Sequence, residues 1–182
     1  MLLEEKDPLI IELDMKKIAK LNFWMTLLLC ILFLAFNTII HRQFQFEMAI
    51  TLWNFLLFIV GYCALIILHE LFHLIGFMIF GKVKWSQLNY GINVKLGVAY
   101  ATTSKPLPNH AMKKALMLPF WTTGVLPTII GFIFDNQLIV LLGAFLIAGA
   151  VGDFYMYKEL RKFPNHTLVK DDPQLPKLYV YQ

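Results

Sequence analysis

Residues 48–80 read MAITLWNFLLFIVGYCALIILHELFHLIGFMIF. The run is apolar almost throughout and carries one polar island, His69-Glu70-Leu71-Phe72-His73. A helix of about 20 apolar residues crosses a bilayer, so a run of this length must tilt, bend or protrude. Three ionisable groups inside it are expensive in hydrocarbon unless something compensates them.

The rest of the chain has the same character. Of 182 residues, 58% are hydrophobic and 15% charged. A soluble globule of this size could not hide so much apolar surface, and the composition excludes disorder for the bulk of the chain. Three further apolar stretches are long enough to span: residues 21–40, 111–134 and 137–157. The third of the four spans contains Pro119 and Pro127. The expectation is an all-α integral membrane protein, a single polytopic domain over residues 1–182 with spans near 21–40, 48–80, 111–134 and 137–157.

The net charge of +4 reads as a topology signal, not as a nucleic-acid footprint. Of the basic residues only Arg42 falls between the first two spans. The others precede span one, lie between spans two and three (Lys82 to Lys114), or follow span four. The positive-inside rule makes that side cytoplasmic, with both termini on it, in a multi-pass protein of the cell membrane. The first twenty residues mix acids and lysines, with no cleavable signal. Cys30 and Cys63 lie in apolar runs and read as apolar filler.

Lys82 to Pro108 is the one long polar insertion. Within it Leu88, Tyr90, Ile92, Val94, Leu96, Val98 and Tyr100 recur at every second position, which predicts a small β strand-loop between helices two and three. Gly91 and Gly97 are candidate bends. Asp7 to Lys20 reads as an interfacial helix or a strand, and the proline-bearing tail from Pro164 as extended chain.

The polar island carries chemistry. On a helix His69 and His73 share a face, and two imidazoles so placed can bind one metal ion. Glu70 is rotated by about 100° from His69 and can take a proton from a water on that metal. This is the HExxH arrangement of zinc hydrolases. Packing histidines or a proton relay are the blander readings. Zinc in a hydrolase takes three protein ligands and one water. The acids after His73 are Asp135, Asp153, Glu159, Asp171 and Asp172. Asp135 falls in the outer turn, Glu159 beyond span four, and Asp171 and Asp172 in the tail. Asp153 alone lies within a span, although a cap or a partner of Lys158 is the competing reading. Ala144, Ala148 and Gly152 form a small-residue stripe in span four, with Gly149 one turn before Asp153, and such residues permit close helix approach. Gly76 lies near the face of His69, two turns on, where it could leave room beside the metal or serve packing or a kink.

HELFH in one span with a later aspartate in another resembles the site-2 class of intramembrane proteases. More closely, the chain resembles a small family of membrane zincin peptidases, through His69 to His73, the strand-loop behind it, and Gly149-Ala150-Val151-Gly152-Asp153. The resemblance implies zinc (Zn2+) held by His69, His73 and Asp153, with Glu70 as general base. The chain departs from site-2 proteases in having Gly152 before its aspartate instead of a glycine after it. It departs from metzincins in having Ile79 where a third histidine would stand.

The expected activity is a zinc-dependent membrane endopeptidase acting near the cytoplasmic leaflet. Its partners would be a peptide or membrane-protein substrate and the lipid bilayer, with no nucleic acid. Asn93, Asn109 and His110 are candidate oxyanion donors by side alone. The edge of the Leu88–Tyr100 strand could add to an extended substrate, and Pro119 and Pro127 could let span three flex. Two alternatives stay open: a non-catalytic metal-binding or partner-binding pseudoprotease, and a small transporter subunit.

Overall fold

A computed structural model describes residues 7–42, 52–93, 97–173 and 175–182. In chain order the elements are β1 (Leu9–Glu12), α1 (Met15–His41), α2 (Leu52–Gly81), β2 (Leu88–Asn93), β3 (Val98–Thr103), β4 (Leu107–Pro108), α3 (Asn109–Pro119), α4 (Leu126–Ile133), α5 (Gln137–Gly149), α6 (Val151–Leu160), β5 (Leu168–Asp171) and β6 (Lys177–Tyr181). A π-helical segment, Phe120–Val125, joins α3 to α4.

Four helical stretches are long and apolar enough to cross a membrane: Met15–His41, Leu52–Gly81, Asn109–Ile133 and Gln137–Leu160. They match the four expected stretches, with shifted ends. The first helix starts at Met15 and takes in Lys16, Lys17 and Lys20, because lysine is a good helix former and its stem packs along apolar surface. Met48 to Thr51, expected in the second stretch, lie outside the described residues, as do Val94 and Leu96 of the strand pattern.

The chain divides into two compact units. One holds the residues up to Met15, Glu70–Pro119 and Gly152–Gln182; the other holds Lys16–His69 and Phe120–Val151.

The first unit adds to the mostly helical architecture a sheet beyond the one expected strand-loop. It contains a four-stranded antiparallel sheet of order β1-β6-β5-β4, drawn from both ends of the chain and, in β4, from its middle. Its inward side chains, Ile11, Val169, Leu178 and Val180, pack into one core with Leu74 and Phe77 of α2, Met112 of α3 and Leu160 of α6. Each strand is five residues or shorter, too brief for alternation to stand out from a polar, proline-bearing tail. The expected strand-loop is the hairpin β2–β3, paired from Leu88↔Thr103 to Asn93↔Val98. Gly97, at φ +66°, sits in its turn. Gly91 is not a bend: it lies mid-strand opposite Tyr100, where an added Cβ would stand 2.8 Å from the tyrosine hydroxyl. The Asn109 amide donates to the carbonyls of Leu160, Phe163 and Pro164 and so ties the start of α3 to the end of α6. At the end of α2, Lys105 Nζ donates to the carbonyls of Gly81 and Lys82, satisfying groups that a helix end leaves open.

In the second unit glycines set the approach of α4 to α5. A Cβ on Gly131 would stand 2.7 Å from Val140 N, and one on Gly143 would meet Thr128 Oγ1. The α4–α5 turn contains Asp135 at φ +50°. Asn37 of α1 donates from Nδ2 to Asp135 Oδ1 at 2.6 Å, and His41 Nε2 donates to the Phe132 carbonyl at 2.7 Å.

Candidate metal centre

His73 is held from two sides. Its Nδ1 lies 3.1 Å from the Ala115 carbonyl. A carbonyl only accepts, so Nδ1 carries a ring proton, and in the neutral ring Nε2 keeps its lone pair. That Nε2 is 3.4 Å from Asp153 Oδ1. Gly76 makes the first contact possible, since a Cβ there would stand 2.8 Å from Ala115 Cα. The glycine read as leaving room beside a metal instead lets α3 close onto α2, bringing a carbonyl within reach of the ring.

Asp153 stands in the first turn of α6, just past the helix break at Ala150. Its side chain is 18% exposed and that of His73 is 8% exposed. Gly149 has nothing within 4 Å of an added Cβ, and Gly152 meets only Leu13 at 3.5 Å. The stripe beside Asp153 is therefore less crowded than its spacing implied, whereas Ala144 and Ala148 are fully buried.

His69 is buried one turn earlier on the same continuous helix, so the helix itself fixes its place relative to His73. Its Nδ1 lies 3.2 Å from Thr123 Oγ1. One ligand atom each from His69, His73 and Asp153 falls within 4.8 Å of the others.

The donor set fits zinc on its own chemistry. In the tautomer that Ala115 imposes, His73 Nε2 and Asp153 Oδ1 are two acceptors facing each other in a largely buried place. They repel unless a proton or a cation stands between them. A second imidazole converging on the same point favours the cation. Two histidines and one carboxylate are a tetrahedral zinc set with one position left open.

Glu70 is half-buried, follows His69 directly, and interacts electrostatically with His73. The other acids are placed elsewhere or otherwise engaged. Asp135 is bonded to Asn37 in the second unit. Glu159 pairs with Lys162. Asp172 accepts from the Tyr179 hydroxyl at 2.7 Å. Among the oxyanion candidates, Asn109 has its amide committed to three carbonyls, and His110 is exposed with Nδ1 at the Asn165 carbonyl. Asn93 ends β2.

One residue escaped the sequence reading. Asp171 pairs with Leu178 across β5–β6 and lies two residues from Val169, on the sheet face that carries the core. It interacts electrostatically with both His73 and Asp153. Burial pushes its carboxyl well above the usual carboxylate range, against the attraction of His73. Leu168-Val169-Lys170-Asp171 has no apolar–polar alternation to mark it as a strand, so it does not stand out from tail sequence.

Two imidazoles one helical turn apart, a glutamate between them and a carboxylate from another helix are the groups of a zincin-type centre. The chain belongs to the family described as "Putative zincin peptidase", which matches residues 62–168. Neither a curated protein nor a solved structure matches it. The matched span takes in His69 to His73, the β2–β3 hairpin and Asp153; Asp171 lies just beyond it.

Proposed function

We propose that this protein is a zinc-dependent membrane endopeptidase working near the cytoplasmic leaflet. The observation that carries the reading is the convergence of His69, His73 and Asp153 beside Glu70, on a helix apolar enough to span. Exposed apolar side chains along α1 and α2, such as Leu28, Ile31, Leu32, Ile59 and Val60, call for a lipid surround. The lysine-rich segments put both termini in the cytoplasm.

His69, His73 and Asp153 would hold the zinc, which when bound would supply a Lewis acid that acidifies water and polarises a carbonyl. The Ala115 carbonyl orients the His73 imidazole. Glu70 accepts a proton from the attacking water as the new C–O bond forms, and returns it to the amine as the C–N bond breaks. An extended substrate suits such attack. Among the described residues β2 and β3 pair only with each other, and an open strand edge offers backbone groups to a peptide.

The test is Glu70→Gln in the purified full chain. The variant should keep its zinc and lose cleavage of membrane-anchored peptides by on the order of a hundredfold or more. Equal cleavage by wild type and variant would remove Glu70 from the mechanism. Zinc binding with no cleavage by the wild type, across a broad peptide library, would favour the pseudoprotease reading.

A further inference from the structure

The π-helical segment Phe120–Val125 interrupts an apolar helix, and the chemistry above does not require it. A π turn inserts one residue into a helix and rotates the residues that follow. Here it lies between Pro119 and Pro127. Pro127 has no N–H for the helical ladder, which favours widening at this place. Thr128 Oγ1 donates to the Gly124 carbonyl at 2.8 Å, giving that carbonyl a side-chain partner at the end of the widened segment. Gly124 lets the widened segment sit against α5, since a Cβ there would stand 2.9 Å from Ile147 Cγ1.

Within this segment Thr123 is 1% exposed, and its hydroxyl oxygen lies 3.2 Å from His69 Nδ1. A hydroxyl buried among apolar groups is costly without a partner, and valine would fill the same volume. We infer that Thr123 is a positioning residue for the metal centre: its hydroxyl oxygen accepts the His69 Nδ1–H, fixes that tautomer and leaves Nε2 to the cation. The inference rests on the zinc reading and extends it. It makes the two imidazoles equivalent. His73 is oriented by a backbone carbonyl and His69 by a hydroxyl, and the π segment turns that hydroxyl toward α2. Outer partners of this kind tune affinity by fixing ligand orientation.

The test uses the full chain in detergent, titrated with zinc against a competing chelator, as wild type, Thr123→Val and Thr123→Ser. The valine variant should bind zinc about tenfold to a hundredfold more weakly, and the serine variant should stay near wild type. The metal-free melting temperature of the valine variant should be close to that of the wild type. A packing role reverses the order, because serine leaves a void and valine does not; serine weaker than valine therefore overturns the inference. Equal affinity in all three also overturns it. If the wild type retains no zinc, or His69→Ala leaves binding unchanged, the zinc reading itself fails and this inference falls with it.

Discussion

His73 Nε2 stands 3.4 Å from Asp153 Oδ1 while the opposite nitrogen of the same ring faces the Ala115 carbonyl at 3.1 Å. The ring cannot satisfy both neighbours by donating from Nδ1 alone. Something positive belongs between the imidazole and the carboxylate, and the nature of Asp153 decides what can stand there.

Replacing Asp153 by asparagine should separate folding from metal binding. The Asn amide can donate to Nε2, so the metal-free variant should melt at or above the wild-type temperature. Its zinc affinity should nonetheless fall at least tenfold, because a neutral amide is a poor zinc ligand beside a carboxylate. Asp153→Ala should lose zinc as well and also leave a cavity. Zinc content per chain, read alongside thermal melting, checks both. Unchanged zinc affinity in Asp153→Asn would reject Asp153 as a ligand.

Gly76→Ala should be costly where Gly149→Ala is not. The first places a methyl 2.8 Å from the Ala115 backbone, and the second meets nothing within 4 Å. Forcing α3 away from α2 should cost about 1–3 kcal/mol and draw the Ala115 carbonyl off His73, so zinc affinity should fall with stability. Melting curves and zinc titrations of the two variants test this. Equal behaviour would show that close packing at Gly76 does not support the ring.

Asp171 predicts a pH dependence with a defined sign. Its folded carboxyl sits well above the usual range because it is buried. The folded state therefore binds a proton more tightly than the unfolded chain. The associated stability is fully present below the ordinary aspartate pKa and is lost as pH rises through the raised folded value. Metal-free wild type should lose stability over that interval, and Asp171→Asn should not. Parallel pH profiles for the two would contradict the placement of Asp171 on the core face.

Asn109→Ala should destabilise by about 1–3 kcal/mol, because the bonds from its buried amide to three carbonyls, which tie α3 to the end of α6, are lost. The zinc content and cleavage rate of the folded fraction should be unchanged. A selective loss of rate would restore Asn109 as an oxyanion donor.

The helices and the histidine pair were legible because their signals are strong and local. Leu52 to Gly81 announces itself by length, and His69 and His73 by a spacing that a helix turns into a shared face. Asp153 could be singled out as a candidate by elimination, since no other later acid falls inside an apolar run. The sheet was not legible, because Leu9–Glu12 pairs with Lys177–Tyr181 across nearly the whole chain and neither strand carries a long alternation. Asp171 was lost with it, read as tail when its strand faces the core. Thr123 was hidden for another reason: a π segment shifts the helical phase, so counting at 3.6 residues per turn misplaces it.

X-ray absorption at the zinc edge of the purified full chain tests the metal centre most directly. One zinc per chain is expected, with two imidazole nitrogens and carboxylate oxygen in its inner shell, and loss of imidazole scattering with loss of zinc in His73→Ala. A chain that takes up no zinc, or one whose zinc shell holds no imidazole and is indifferent to His69 and His73, would contradict that expectation.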